Sequence, residues 1–116
     1  MATVVHRIKV QQGAAFKLNV QAQNADKSAM NLTGYSARMQ IRASATDPSI
    51  LMEASTANTY ITINGPGGVV MINVPATITD PMTWTDGVWD LEIFTNTTDI
   101  IRLAEGSASL SPEVTR

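Results

Sequence analysis

The chain has 116 residues, with eight Lys or Arg against ten Asp or Glu, one histidine and no cysteine. That length fits one domain able to bury roughly two-thirds of its unfolded surface, and it excludes an enzyme with a cleft between two lobes. Without cysteine there are no disulfides, thiolate metal sites or cysteine nucleophile. A formal charge of −2, with only 16% charged residues, gives no general attraction to phosphate backbones, so no nucleic-acid partner is expected.

In chain order, residues 3–11 carry Val4, Val5, Ile8 and Val10 and read as a first strand ending near Gln11-Gln12-Gly13. Residues 14–22 alternate with period two: Phe16, Leu18, Val20 and Ala22 on one face, Lys17, Asn19 and Gln21 on the other. That period is what a strand needs when one face packs on a core and the other meets water. Residues 24–31 form a polar loop, and Leu32-Thr33-Gly34 opens a second alternating strand, Tyr35, Ala37, Met39 and Ile41 against Ser36, Arg38, Gln40 and Arg42. After a turn at Asp47-Pro48 come short strands at 50–54 and 60–63. Asn64-Gly65-Pro66-Gly67-Gly68 is the strongest turn signal, and 69–74 is more continuously apolar, as a central strand would be.

Residues 75–84 offer Thr77 or Thr79 as a helix cap but are interrupted by Pro81, which predicts a short helical turn joining two sheets. Thr85-Asp86-Gly87 then turns into a third alternating strand, Trp89, Leu91 and Ile93 against Asp90 and Glu92. Residues 96–99 turn again, 100–105 and 107–110 flank a bulge or bend at Gly106, and 111–116 leave as an extended tail. The sum is an all-β chain: a single antiparallel sandwich over 1–116, with seven to nine strands and one short helical turn.

Candidate chemistry is sparse. Asp80, Asp86 and Asp90 surround one corner and suit either a calcium site or plain turn chemistry, and Asp-Pro and Asp-Gly are what turns ask for. Asp90 and Glu92, two apart on one face, form a carboxylate pair of the kind glycosidases use, or a solvated outer face with a cross-strand partner such as Arg102. Neither a serine elbow nor an HExxH pattern accompanies His6, and the NGPGG run lacks the Lys-Ser/Thr of a phosphate loop. Trp84 and Trp89 read as core and lid, or as a sugar platform. No cofactor is expected. The first ten residues carry charges too early for a secretory segment, and apolar runs of about four residues fall far short of a bilayer span.

The stretch Leu32-Thr33-Gly34-Tyr35 with Arg38-Met39-Gln40-Ile41-Arg42 resembles small virion proteins of tailed bacteriophages. So do Gly87-Val88-Trp89-Asp90-Leu91-Glu92-Ile93, Ile101-Arg102-Leu103-Ala104-Glu105-Gly106 and Pro112-Glu113-Val114-Thr115-Arg116. The likeness runs in order from Phe16 to Arg116. It implies an immunoglobulin-like β-sandwich similar to the N-terminal domain of baseplate upper proteins. The role it implies is non-enzymatic: a tail, baseplate or fibre-attachment adaptor in the virion, assembled in the host cytoplasm. Since the sequence stops at Arg116, a separate subunit without a fused fibre or receptor-binding domain is expected. No catalytic or metal residue carries over.

The expected partners are other virion proteins, with multiple copies in a symmetric assembly and no membrane. Contacts are assigned to Met1, Ala2, Thr3, Val4 and Val5 and to Pro112, Glu113, Val114, Thr115 and Arg116, because sheet edges and extended tails add strands to neighbours. The rival readings are a capsid decoration subunit, a glycan-binding module built on Trp84, Trp89 and the Asp86 loop, and a small hydrolase using Asp90 and Glu92.

Overall fold

The computed structural model describes residues 3–96 and 98–115. Along them run β1 (Val4–Val5), β2 (Ile8–Gln11), β3 (Phe16–Gln21), β4 (Ser36–Arg42), β5 (Met52–Ser55), β6 (Ile61–Asn64) and β7 (Val69–Val74). The helical turn α1 (Ala76–Thr79), β8 (Asp86–Phe94) and β9 (Ile100–Ser111) follow. The larger sheet has the order β1-β9-β8-β4-β5, with β2 also lying along β9, and the smaller has the order β3-β7-β6.

Between the sheets lies one core. The larger sheet turns Met39, Ile41, Trp89, Leu91 and Ile93 inward, and the smaller turns Phe16, Val20, Val70, Ile72 and Val74 to meet them. On β3 and β4 the outward residues are polar, and Asp90 and Glu92 alternate with the inward side chains of β8, so alternation sets which face is buried there. At the turn between β6 and β7, Gly68 adopts φ +67°, and a Cβ there would collide with the Met30 carbonyl. The turn read at 64–68 therefore depends on that glycine.

Four details differ from the sequence reading. First, the sandwich is not wholly antiparallel. Both β1 and β2 run parallel to β9, Val4 opposite Ala104 and Ile8 opposite Ala108, because the chain enters beside the start of β9 and crosses to the other sheet only at residues 12–15. A parallel neighbour needs a long return connection, and here the rest of the sandwich supplies it. Second, the first strand ends at Gln11 as read but is also broken at His6-Arg7. Val4 and Val5 stay exposed while Ile8 and Val10 are buried.

Third, the bulge in β9 falls opposite Leu91 and Glu92, where both Leu103 and Ala104 turn inward. Gly106 instead permits a close approach: a Cβ there would strike the His6 carbonyl, which accepts the Trp89 indole N–H at 2.9 Å. Fourth, neither threonine caps α1, whose N-cap is Pro75. Thr79 is wholly buried, its hydroxyl donating to the Ala14 carbonyl at 2.8 Å and accepting the Gly13 N–H at 3.1 Å. Asp86 and Gly87 belong to β8, paired with Ser109 and Ala108, and Ser111 still belongs to β9, so the tail starts at Pro112.

Candidate functional site

The outer face of the larger sheet gathers a cluster of charged side chains. Period-two alternation places Arg38, Gln40 and Arg42 of β4 beside Asp90 and Glu92 of β8, with Arg102 and Glu105 of β9 beyond them. Arg38 meets Glu92 at 3.2 Å, and Arg102 stands 3.7 Å from both Asp90 and Glu105. Gln40 donates to Glu53 at 2.6 Å and accepts from Arg42 at 2.8 Å. A shallow trough of about 530 Å³ runs here, bordered by Val5, Arg42, Val88, Asp90, Arg102 and Glu105.

Partial burial, and secondarily the Glu92 charge, hold the Asp90 carboxyl above its ordinary value. Arg102 opposes this without cancelling it, because it is distant and shared with Glu105. Asp90 and Glu92 thus share one face, each with an arginine beside it, and such pairs near the surface contribute little to stability.

The other candidates are dispersed. Asp80 ends α1, while Asp86 and Asp90 lie opposite Ser109 and Glu105 on β8, roughly 13 Å apart along the strand. Among the described residues no three His, Asp or Glu gather to hold a metal. Trp89 is only 3% exposed, so it and Trp84 form no exposed platform. The Trp84 indole N–H is buried without a partner.

The terminal segments occupy opposite poles. Thr3 donates its hydroxyl to the Arg102 carbonyl at 3.0 Å, near the start of β9, whereas the tail leaves its far end. The Glu113 N–H is held by the Gln12 side-chain carbonyl at 2.9 Å, and the Gln12 amide donates to the Asp80 carbonyl at 3.0 Å. Val5 and Val114 are 78% and 92% exposed. Pro112 and Thr115 lie on the tail, and Met1, Ala2 and Arg116 lie outside the described residues. Sequence reasoning missed Gln12 and Thr79, which clamp the tail end of the molecule, because nothing local marks a residue that bonds across 66–101 positions.

The strand edges differ among themselves. Along β5, Thr56 N–H bonds the Ala37 carbonyl, so by alternation Glu53 and Ser55 direct their backbone groups away from β4. Asn58 takes both: its carbonyl accepts Ser55 N–H at 2.8 Å and its amide donates to the Glu53 carbonyl at 3.1 Å. Along β3, Ala22 N–H bonds the Gly68 carbonyl and, one strand over, Asn73 N–H bonds the Tyr60 carbonyl. The same alternation points the backbone groups of Lys17, Asn19 and Gln21 away from β7. Among the described residues no strand covers that edge.

These sheets define the chain as an immunoglobulin-like β-sandwich. Among solved structures it is similar to a chicken TCR crystal structure, with a TM-score of 0.58 and 10% identity over 97% of this chain and 57% of that one. The chain thus spans little more than half of that neighbour, and identity at this level establishes the fold alone. No family model and no curated protein matches the sequence.

Proposed function

We propose that the chain is a non-enzymatic structural subunit of a tailed-phage virion, a tail, baseplate or fibre-attachment adaptor acting through protein–protein contacts. One observation carries the reading. Apart from Leu32–Tyr35, in the turn that leads into β4, the sequence pieces that resemble phage virion proteins fall on β4, β8, β9 and the tail, and those strands are adjacent in one sheet. The likeness therefore covers a contiguous structural unit rather than scattered turns. An outer face whose charges are already paired with one another sheds its water at less cost than isolated ions do, which suits packing against fixed neighbours.

Immunogold labelling with antibody to this chain, on particles whose genome encodes it, tests the proposal. Labelling at the tail is the expected result, and labelling over the head moves the subunit to capsid decoration. Wild-type particles that carry no label, with particles assembling normally after deletion of the gene, overturn the reading.

A further inference from the structure

We propose that two copies of this chain pair antiparallel along β3, joining their smaller sheets into one continuous sheet across a two-fold axis at Asn19. The inference rests on the reading of the chain as an assembly subunit and names the surface by which it meets itself.

Three observations select this edge and this occupant. The first is that the other edges are closed or short. Asn58 caps β5, β6 turns only Ile61 and Ile63 outward by alternation from the Tyr60–Asn73 bond, and β1 and β2 are broken at His6-Arg7. The second is that β3 offers six residues with no proline and no bulge; of the devices by which edges are usually blunted, it carries only the single charge of Lys17.

The third is register. Centred on Asn19, a two-fold pairs Asn19 with Asn19 of the second copy and Lys17 with Gln21 of the second copy. Each outward N–H then meets an outward carbonyl, as antiparallel pairing requires. The lone charge of the edge, Lys17, faces a neutral amide instead of another lysine. On the inner face Leu18 meets Val20 of the second copy. Leu18 is the inward side chain of β3 left half-buried while Phe16 and Val20 are buried, and a second strand covers it. The pairing is isologous, so it closes at two copies and does not propagate along this edge.

Sedimentation of the purified full chain should give the dimer mass, and exchange of the Lys17, Asn19 and Gln21 amides should slow as concentration rises. Asn19→Pro removes an N–H that makes no bond to β7, and the weight-average mass should halve with the far-UV circular dichroism unchanged. Asn19→Lys leaves the backbone intact and sets like charges across the axis. It should halve the mass too, with the dimer recovering at high salt. A wild-type chain that sediments as a monomer with freely exchanging amides at those three positions overturns the proposal. So does a dimer that persists in both variants. Neither readout involves particles, so failure of the dimer and failure of the virion reading are told apart.

Discussion

At the margin of the larger sheet, Asn58 curls its carboxamide back and supplies β5 with the acceptor and donor that a neighbouring strand would offer. At the margin of the smaller sheet, β3 has the same unpaired geometry, and among the described residues no strand lies over it. The difference comes from the connections. β5 leads into β6 through a tight turn that brings Asn58 within reach of its edge, whereas β3 leaves through the loop after Ala22, which is tied to Gly68 and Met30 instead. Capping an edge takes one side chain in the right turn, so an edge without one is available for a partner.

A third margin, β9, is covered by the chain's own first strands, and removing that cover is the severest way to break the comparison. Gly106→Val drives a side chain into the His6 carbonyl and takes away the acceptor of the Trp89 indole. Overpacking and an unsatisfied buried donor together are expected to cost about 2–4 kcal/mol, read from the urea midpoint. A red shift of tryptophan emission should accompany the loss. Unchanged stability would mean that β1 and β2 do not seal β9.

Uncapping β5 comes next. Asn58→Ala leaves the Glu53 carbonyl and Ser55 and Tyr60 N–H groups without their partner, a loss of about 1–2 kcal/mol. It should also create a second sticky edge, detected as mass above the dimer by light scattering. Asn58→Asp keeps the bonds from the Ser55 and Tyr60 N–H groups but replaces the donor to Glu53 with an oxygen set against that carbonyl, so it tests the donor half of the cap alone. Equal effects of the two variants would show that the donation to Glu53 carries the cap and that the bonds from Ser55 and Tyr60 add nothing.

These edges mark the boundary of what was legible in the sequence. The strands around Phe16–Val20, Ala37–Ile41 and Trp89–Ile93 were readable because a period of two is a local property, and the inward role of Trp89 followed from its phase with Leu91. Which strand neighbours which is not local. Nothing in Val4-Val5-His6-Arg7-Ile8 distinguishes a parallel partner of β9 from an antiparallel partner of β3, and Thr56-Ala57-Asn58-Thr59 reads only as polar turn. Gly106 suggests a bulge or bend, yet the bulge arises at Leu103 from the pairing with Leu91 and Glu92. Of the candidate site, Asp90, Glu92 and Arg102 were named and do share a face. The edge that matters for pairing was not distinguished, since Lys17, Asn19 and Gln21 look like any solvated face.

Leu18 sharpens the comparison at a smaller scale. In an isolated molecule it is half-covered, so Leu18→Ala should cost about 1 kcal/mol, below the 2–5 kcal/mol of a fully buried leucine. If β3 pairs with a second copy, the penalty should grow with protein concentration, because binding stabilises only the wild-type fold. Melting temperatures measured over a dilution series provide the check. A penalty that stays constant while the wild-type chain remains dimeric would place the two-fold somewhere other than β3.

The smallest effect separates sheet faces from sheet edges. Because burial raises the Asp90 carboxyl above 3.8, the folded chain binds its proton more tightly than the unfolded chain does. The contribution to stability is therefore fully present below the ordinary value and is lost as pH rises through the raised one. At neutral pH the charged carboxylate opposes folding slightly, so Asp90→Asn should stabilise the protein at pH 7 and make no difference below about pH 3.8. Glu92→Gln should lower the Asp90 titration midpoint and Arg102→Met should raise it further, both followed by carboxyl carbon resonances. Neither change touches β3, so the dimer mass should be the same in all three variants. A variant that altered it would bring the outer face of the larger sheet into the contact.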